Sequence, residues 1–384
     1  MNNKTFTEKY YIDRRKNDSV KWQRARKTKS LPMWIADMDF KCDERVTEAL
    51  HAFIEQGDYG YWNLPEDYYK VYSDWHERRN GVAYKQEWFR FSRGAIDAIH
   101  QVVNALSEEG DGIMICTPLY PPFASTIRRS KRKIYESKMV DNDGYFTFDY
   151  KDIEKRFKTS KVRIFMLCSP HNPLGRVFKK GELEELFELC HRYKVLICAD
   201  EVHCDLIMPD QKFIPALSFR KYQNEIVTIS AVAKTFSLAL FSHCHIIIPN
   251  VRLRKKLIAY QQKNNIGSVN VFSALPTYYS CMYGDEWLDH LNNVIYENYE
   301  YIRDELSRYF EMTSLEGSYL LFVNIGQYNK ADSAARYLEE ECKLLVNAGE
   351  TFADGYENWV RINLATSLDN IKKAVRALKK ITER

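Results

Sequence analysis

The chain has 384 residues, 45% of them hydrophobic and 28% charged, with a formal net charge of +4. That length exceeds what one core usually fills, so two lobes are expected, and so slight a charge implies no nucleic-acid partner. No apolar run approaches the ~20 residues needed to span a bilayer, and nine cysteines without a C-x-x-C pair, behind a polar amino terminus, read as reduced cytoplasmic thiols.

Residues 1 to 30 are polar and basic without clear periodicity and read as an irregular arm. Pro32 to Phe40 reads as an extended segment crossing the surface, with Asp37 and Asp39 at its end. From Asp43 to Gln56, Val46, Ala49, Leu50 and Phe53 recur at helical spacing, and Gly57 ends that helix. Tyr59-Gly60-Tyr61 forms a turn. Ser92-Arg93-Gly94 introduces a second helix, with Ile96, Ile99, Val102, Val103 and Leu106 on one face. A glycine at a helix start leaves the amides of Gly94, Ala95 and Ile96 open to an anion, aided by the helix dipole.

Gly112 to Cys116 reads as a buried strand, followed closely by Tyr120. A ring at a strand's carboxyl end can stack on a flat cofactor. The basic cluster from Arg128 to Lys133 is a solvated loop or helix end, since no nucleic-acid-binding motif accompanies it. Arg163 to Cys168 is a strand that runs into the turn Ser169-Pro170-His171-Asn172-Pro173-Leu174-Gly175. Residues 181 to 193 read as a helix with Leu183, Leu186, Phe187 and Cys190 inward. Val195 to Ala199 and Ile226 to Ser230 are short β-branched runs of the kind found in buried parallel strands. The first ends on Asp200-Glu201-Val202-His203, the second on Ala231-Val232-Ala233-Lys234.

His243-Cys244-His245 lacks a second ligand pair at zinc spacing, so no metal is expected there. Residues 285 to 310 read as a long helix. Strands at 319 to 325 and 359 to 365 follow, with a closing helix carrying Ile371, Val375, Leu378 and Ile381. The whole is an α/β chain without repeats or a Pro/Gly-rich linker.

In open α/β sheets, ligands bind outside the carboxyl ends of the strands. Asn172, Asp200 and Lys234 each follow a strand and are therefore expected in one crevice. Lys234 has apolar neighbours, and desolvation favours the neutral amine that nucleophilic and base chemistry require. A buried carboxylate at Asp200 needs a positive partner. Arg361, in Val360-Arg361-Ile362-Asn363, is a guanidinium in an apolar strand and wants a bidentate anion. The set suggests a lysine holding an aldehyde cofactor as a Schiff base, an acid on its ring nitrogen and an amide on its ring oxygen.

With Trp34-Ile35-Ala36-Asp37-Met38-Asp39-Phe40, Tyr59-Gly60-Tyr61, Pro170 to Arg176, Asp200 to Asp205 and Lys234-Thr235-Phe236, these motifs follow a known order. The sequence resembles the fold-type I pyridoxal-phosphate (PLP) enzymes, and among them the MalY/PatB cystathionine β-lyase family. The resemblance implies a large domain, 46–284, with a mostly parallel seven-stranded sheet between helices, in which the strand at 245–249 runs antiparallel. It implies a smaller α/β domain from 1–45 and 285–384. It places pyridoxal 5'-phosphate on Lys234, Asn172, Asp200, His203, Tyr120 and the Gly94-Ala95-Ile96 helix start. Lys234, Asp200 and Tyr120 become catalytic, Arg361 takes the substrate α-carboxylate, and Asp37 lines the substrate entrance. Tyr61 reaches the neighbouring subunit's cofactor phosphate, which makes the protein a homodimer with shared sites.

The implied activity is α,β-elimination from L-cystathionine or cysteine S-conjugates, giving pyruvate, ammonia and a thiol. His203 favours it, because aminotransferases of this fold often carry tyrosine there. An aminotransferase is the alternative, and a PLP-holding regulator without a DNA-binding module is a third reading. The sequence departs from the family at Ala233, where serine is usual, and at Leu240, where a small residue is usual. Ser242 stands where the aminotransferase pattern has arginine. These departures are expected to weaken phosphate binding and narrow the crevice.

Overall fold

The computed structural model describes residues 1–267 and 269–383. Seven strands form the main sheet: β1 Phe89–Ser92, β2 Gly112–Thr117, β3 Lys133–Lys138, β4 Val162–Cys168, β5 Leu196–Asp200, β6 Ile226–Ser230 and β7 Cys244–Ile247. Their lateral order is β1-β7-β6-β5-β4-β2-β3. The pairs from β6 through β3 are parallel. β7 runs against both β6 and β1, as the family resemblance implied.

β2, β5 and β6 are buried at every residue. Alternate side chains feed two cores, because neighbouring strand residues point to opposite faces. Leu196 and Cys198 of β5 join the cluster under the helix Ala95–Leu106; Ile197 and Ala199 join the larger cluster on the other face. Register then decides the site. Cys168 pairs with Asp200, and Asp200 with Ile229, so β4, β5 and β6 end together.

A second, antiparallel sheet contains β8 Glu311–Met312, β9 Leu320–Asn324, β10 Asn347–Ala348 and β11 Trp359–Asn363, in the order β8-β9-β11-β10. Arg361 sits opposite Phe322 and Asn347 in that sheet.

The amino-terminal stretch differs from the expected irregular arm. It folds into helices Asn3–Tyr10 and Val20–Thr28. Asn2 caps the first through Thr5 N at 2.9 Å. Phe6 with Tyr10, and Trp22 with Ala25, are their buried apolar contacts. Each pair is helically spaced, but two residues per helix are too few to show as a period. The stretch from Pro32 to Phe40 is likewise not a surface crossing. Leu31–Pro32 pairs in parallel with Leu344–Leu345, and Met33, Met38 and Phe40 are buried. The basic cluster ends a helix and starts β3, but Arg132 is buried and donates to Ser107 Oγ at 3.0 Å. The long helix stops at Leu306. No helix among the described residues is long and apolar enough to cross a membrane.

Candidate active site

Asp200 is the last residue of β5, and the loops that leave β2, β4 and β6 carry Tyr120, Asn172 and Lys234 beside it. β11 of the second sheet brings Arg361 to the same place. Between the sheets lies a cleft of about 1140 Å³ whose walls include Trp34, Asp37, Tyr120, Lys234, Leu240 and Arg361.

Asp200 is buried, and its Oδ1 accepts only a long bond from Val202 N, 3.3 Å. Burial pushes its carboxyl up to about 7. The Lys234 amine donates to the Ala36 carbonyl at 2.7 Å. Burial brings it down to about 8; Asp37 and Asp200 oppose that shift and Arg361 adds to it. Arg361 Nη1 donates to Asn172 Oδ1 at 2.8 Å and Nη2 to Trp34 O at 3.1 Å. Its Nε is buried without a partner. Phe352 lies 5.0 Å beneath the guanidinium, and burial lowers that group to about 10. Among the described residues no carboxylate pairs with Arg361, although Arg361 is buried.

His203 is buried three residues beyond Asp200, and its Nδ1 meets Ser318 Oγ at 3.2 Å. Burial, then Lys234 and Arg361, hold its imidazole down to about 3, so the ring is neutral. Tyr120 is partly buried, and burial raises its phenol, which stays protonated. Asp37 accepts from Arg14 Nη1 at 2.6 Å. Asn363 Nδ2 holds the backbone of that segment through Ile35 O at 2.6 Å and Asp37 O at 2.8 Å.

Gly94 begins the helix Ala95–Leu106 with φ +148° and no side-chain cap. A methyl group placed on it would meet nothing within 4 Å, so the helix start opens on free space. Asp97 closes the loop from behind, accepting from Ser92 Oγ at 2.8 Å and Arg93 N at 3.1 Å.

Asp37, Tyr120, Lys234 and Arg361 thus line one cleft, with Asn172 bonded to Arg361 and with Asp200 and His203 within electrostatic reach of Lys234. The structure does not bring Tyr61 there: that side chain is fully exposed, at 111%. Leu240 is 89% exposed at the cleft wall, and Ser242 adopts a left-handed backbone with φ 48°. Sequence reasoning missed Arg14, the Ala36 carbonyl and Ser318. Arg14 and Ser318 carry no local signal, while Ala36 lay inside a motif already singled out. The Nε2 atoms of His243 and His245 share the Tyr68 hydroxyl at 2.7 and 3.0 Å.

This donor set fits pyridoxal phosphate. A buried acid without a cation, a desolvated amine, an amide with its Nδ2 unclaimed and an open helix start are what the cofactor's ring nitrogen, aldehyde, ring oxygen and phosphate require. Fold and site together define a fold-type I PLP-dependent enzyme. The family model for aminotransferase class I and II matches residues 35–378, and the chain belongs to that family. It is 31% identical over 371 residues to the cystathionine β-lyase PatB of Bacillus subtilis, covering 94% of this chain and 96% of that protein. Among solved structures, cystalysin from Treponema denticola, which contains pyridoxal 5'-phosphate, superposes with a TM-score of 0.92 at 27% identity, over 97% of this chain and 98% of that one. The PLP-bound C–S lyase from Staphylococcus hominis gives 0.91 at 27%, over 97% and 96%.

Proposed function

We propose that this chain is a PLP-dependent carbon–sulfur β-lyase that cleaves L-cystathionine and related cysteine S-conjugates to pyruvate, ammonia and a thiol. The observation that carries the reading is Arg361, a buried guanidinium bonded only to neutral groups and sharing the cleft with a desolvated lysine. Such a cation binds an amino acid's carboxylate.

Pyridoxal phosphate supplies an electrophilic aldehyde and an electron-withdrawing ring. Lys234 would anchor the aldehyde, and its Nζ when free would take the α-proton of the bound amino acid, which suits an amine brought down to about 8 by burial. Asp200 would accept the N–H of the cofactor ring and keep that proton in place. Asn172, its Oδ1 already engaged by Arg361, would donate through Nδ2 to the ring oxygen. Arg361 fixes the α-carboxylate and thereby aims the Cα–H bond at Lys234. Loss of that proton and of the sulfur as thiolate would complete the elimination, Lys234 could return the proton to the thiolate, and water would hydrolyse the released aminoacrylate to pyruvate and ammonia.

The same reading makes the protein a cytoplasmic homodimer with shared sites. Ile54, Tyr59, Tyr61, Trp62 and Phe272 are exposed, an apolar surface of the kind that marks interfaces. Phe53 touches Trp62 and Phe272, and Phe272 touches Phe241, so that surface runs to the cleft wall. The nine cysteines form no disulfide, which supports a reducing compartment. The two sheets support a division into a lobe of 46–284 and one of 1–45 with 285–384.

The test is incubation with L-cystathionine and no keto acid. Pyruvate and thiol should appear in equal amounts. Product formed only after keto acid is added would mean an aminotransferase, and none from the PLP-loaded protein would mean a regulator; either contradicts the lyase.

A further inference from the structure

Ser318 has left-handed backbone, φ +69°, although it is not glycine, and its side chain is wholly buried. Such conformations persist only where surroundings enforce them. Here the enforcement is explicit. Glu316 N and Gly317 N both donate to Gly175 O at 2.9 Å, Met208 N donates to Glu316 O at 3.0 Å, and Ser318 N donates to Leu206 O at 2.6 Å. Gly317 has no room for a side chain: a Cβ there would sit 2.7 Å from Val177 and 3.2 Å from Pro170. This segment precedes β9 and docks on the loops that follow β4 and β5. It delivers the Ser318 hydroxyl to His203 Nδ1, 3.2 Å away, while the adjacent Tyr319 ring meets the imidazole edge-on with centroids 5.9 Å apart.

A buried hydroxyl hydrogen needs an acceptor. Among the described residues, His203 Nδ1 is the hydroxyl's partner. The O–H therefore donates, Nδ1 carries the lone pair, and the ring proton resides on Nε2. We infer that Ser318 is a positioning residue for the reaction: it locks the His203 ring in one orientation, with its proton on Nε2. The inference rests on the lyase reading of this site. Its consequence is that His203 offers the cleft no basic lone pair, since Nδ1 is engaged and Nε2 is already protonated. Lys234 is left as the base. Without the hydroxyl, the imidazole can flip or change tautomer, and the Nε2–H is no longer held in one place beside Lys234.

The experiment uses the PLP-loaded protein labelled with 15N-histidine. Long-range proton–nitrogen spectra report which ring nitrogen carries the hydrogen, and His203→Gln assigns the signal. Wild type should show Nε2–H with a bare, hydrogen-bonded Nδ1. Ser318→Ala and Ser318→Gly should both lose that single tautomer and lower kcat about tenfold, the low end for removing a partner that orients a functional histidine. KM should move by no more than about twofold, since Arg361 is untouched. Ser318→Gly guards against misfolding, because glycine suits the left-handed backbone. Wild type with Nδ1–H, or Ser318→Gly with wild-type tautomer and kcat, would overturn the role. The tautomer is read without substrate, so this failure is separate from a failed cystathionine assay.

Discussion

Arg176 and Arg361 are both buried guanidiniums, yet their surroundings are opposite. Arg176 meets Glu316 at 2.7 Å, Glu182 at 2.9 Å, the Tyr145 hydroxyl at 2.8 Å and the Phe146 carbonyl. Arg361 meets an amide oxygen and a backbone carbonyl, and its Nε meets nothing among the described residues. The lysines repeat the contrast. Lys21 is buried against Asp39 at 2.8 Å, while among the described residues the Lys234 amine bonds to the Ala36 carbonyl and to no carboxylate. Burying a charge is unfavourable unless a counter-charge accompanies it. In the first region the chain provides the counter-charge itself, and the groups are structural. In the cleft it does not, and in the proposed reading the missing partners are the cofactor and the substrate carboxylate.

The largest effect should come from Lys234→Ala. Turnover should fall by about 10^4-fold, since the residue is both anchor and base. Borohydride should no longer fix the cofactor to the chain. Fixation on another lysine would reassign the anchor. Lys21→Met should instead unfold the protein more easily while the folded fraction keeps its kcat, measured on enzyme titrated for bound PLP.

Arg176→Met should cost about 3–5 kcal/mol in urea unfolding, because Glu182 and Glu316 lose their shared cation. Arg361→Met should barely move the urea midpoint and should raise KM for L-cystathionine roughly 10- to 100-fold, as charged hydrogen bonds of about 1.5–3 kcal/mol are lost. If both variants behaved alike, the division into structural and functional charges would be wrong.

Asp200 sharpens the comparison through pH. Its carboxyl rises from 3.8 to about 7 on burial, so the folded chain holds this proton across a range where the unfolded chain releases it. The benefit is fully present below 3.8 and is lost as pH rises to about 7. Cofactor-free Asp200→Asn should therefore match wild type near pH 4 and exceed it at pH 8, by up to ~4 kcal/mol. Equal stability of the two at pH 8 would mean that Asp200 already has a partner.

Much of the cleft is legible in the chain because β4, β5 and β6 are short apolar runs that end abruptly on Asn172, Asp200 and Lys234 or the loops carrying them. Helices 44–55 and 180–192 show as clear apolar periods. The amino-terminal helices do not, since each buries little beyond a two-residue seam. Contacts between distant segments are invisible for another reason. Arg14 reaches Asp37 across 23 residues, and Ser318 reaches His203 across 115, so no local pattern links them. Tyr61 stands in a motif of the family, yet within one chain it lies outside the cleft and fully exposed, and only a second subunit would give it a role.

The most direct measurement is urea unfolding of cofactor-free Lys234→Met at pH 7. In the folded chain the amine drops from 10.5 to about 8, so its burial penalty is fully present below 8 and is relieved only as pH rises towards 10.5. The variant should be as stable as wild type or more stable by about 1–3 kcal/mol. A loss of about 3–5 kcal/mol, the size expected for breaking a buried pair as in Lys21→Met, would show that Lys234 already has its partner within the fold and is not held for a ligand.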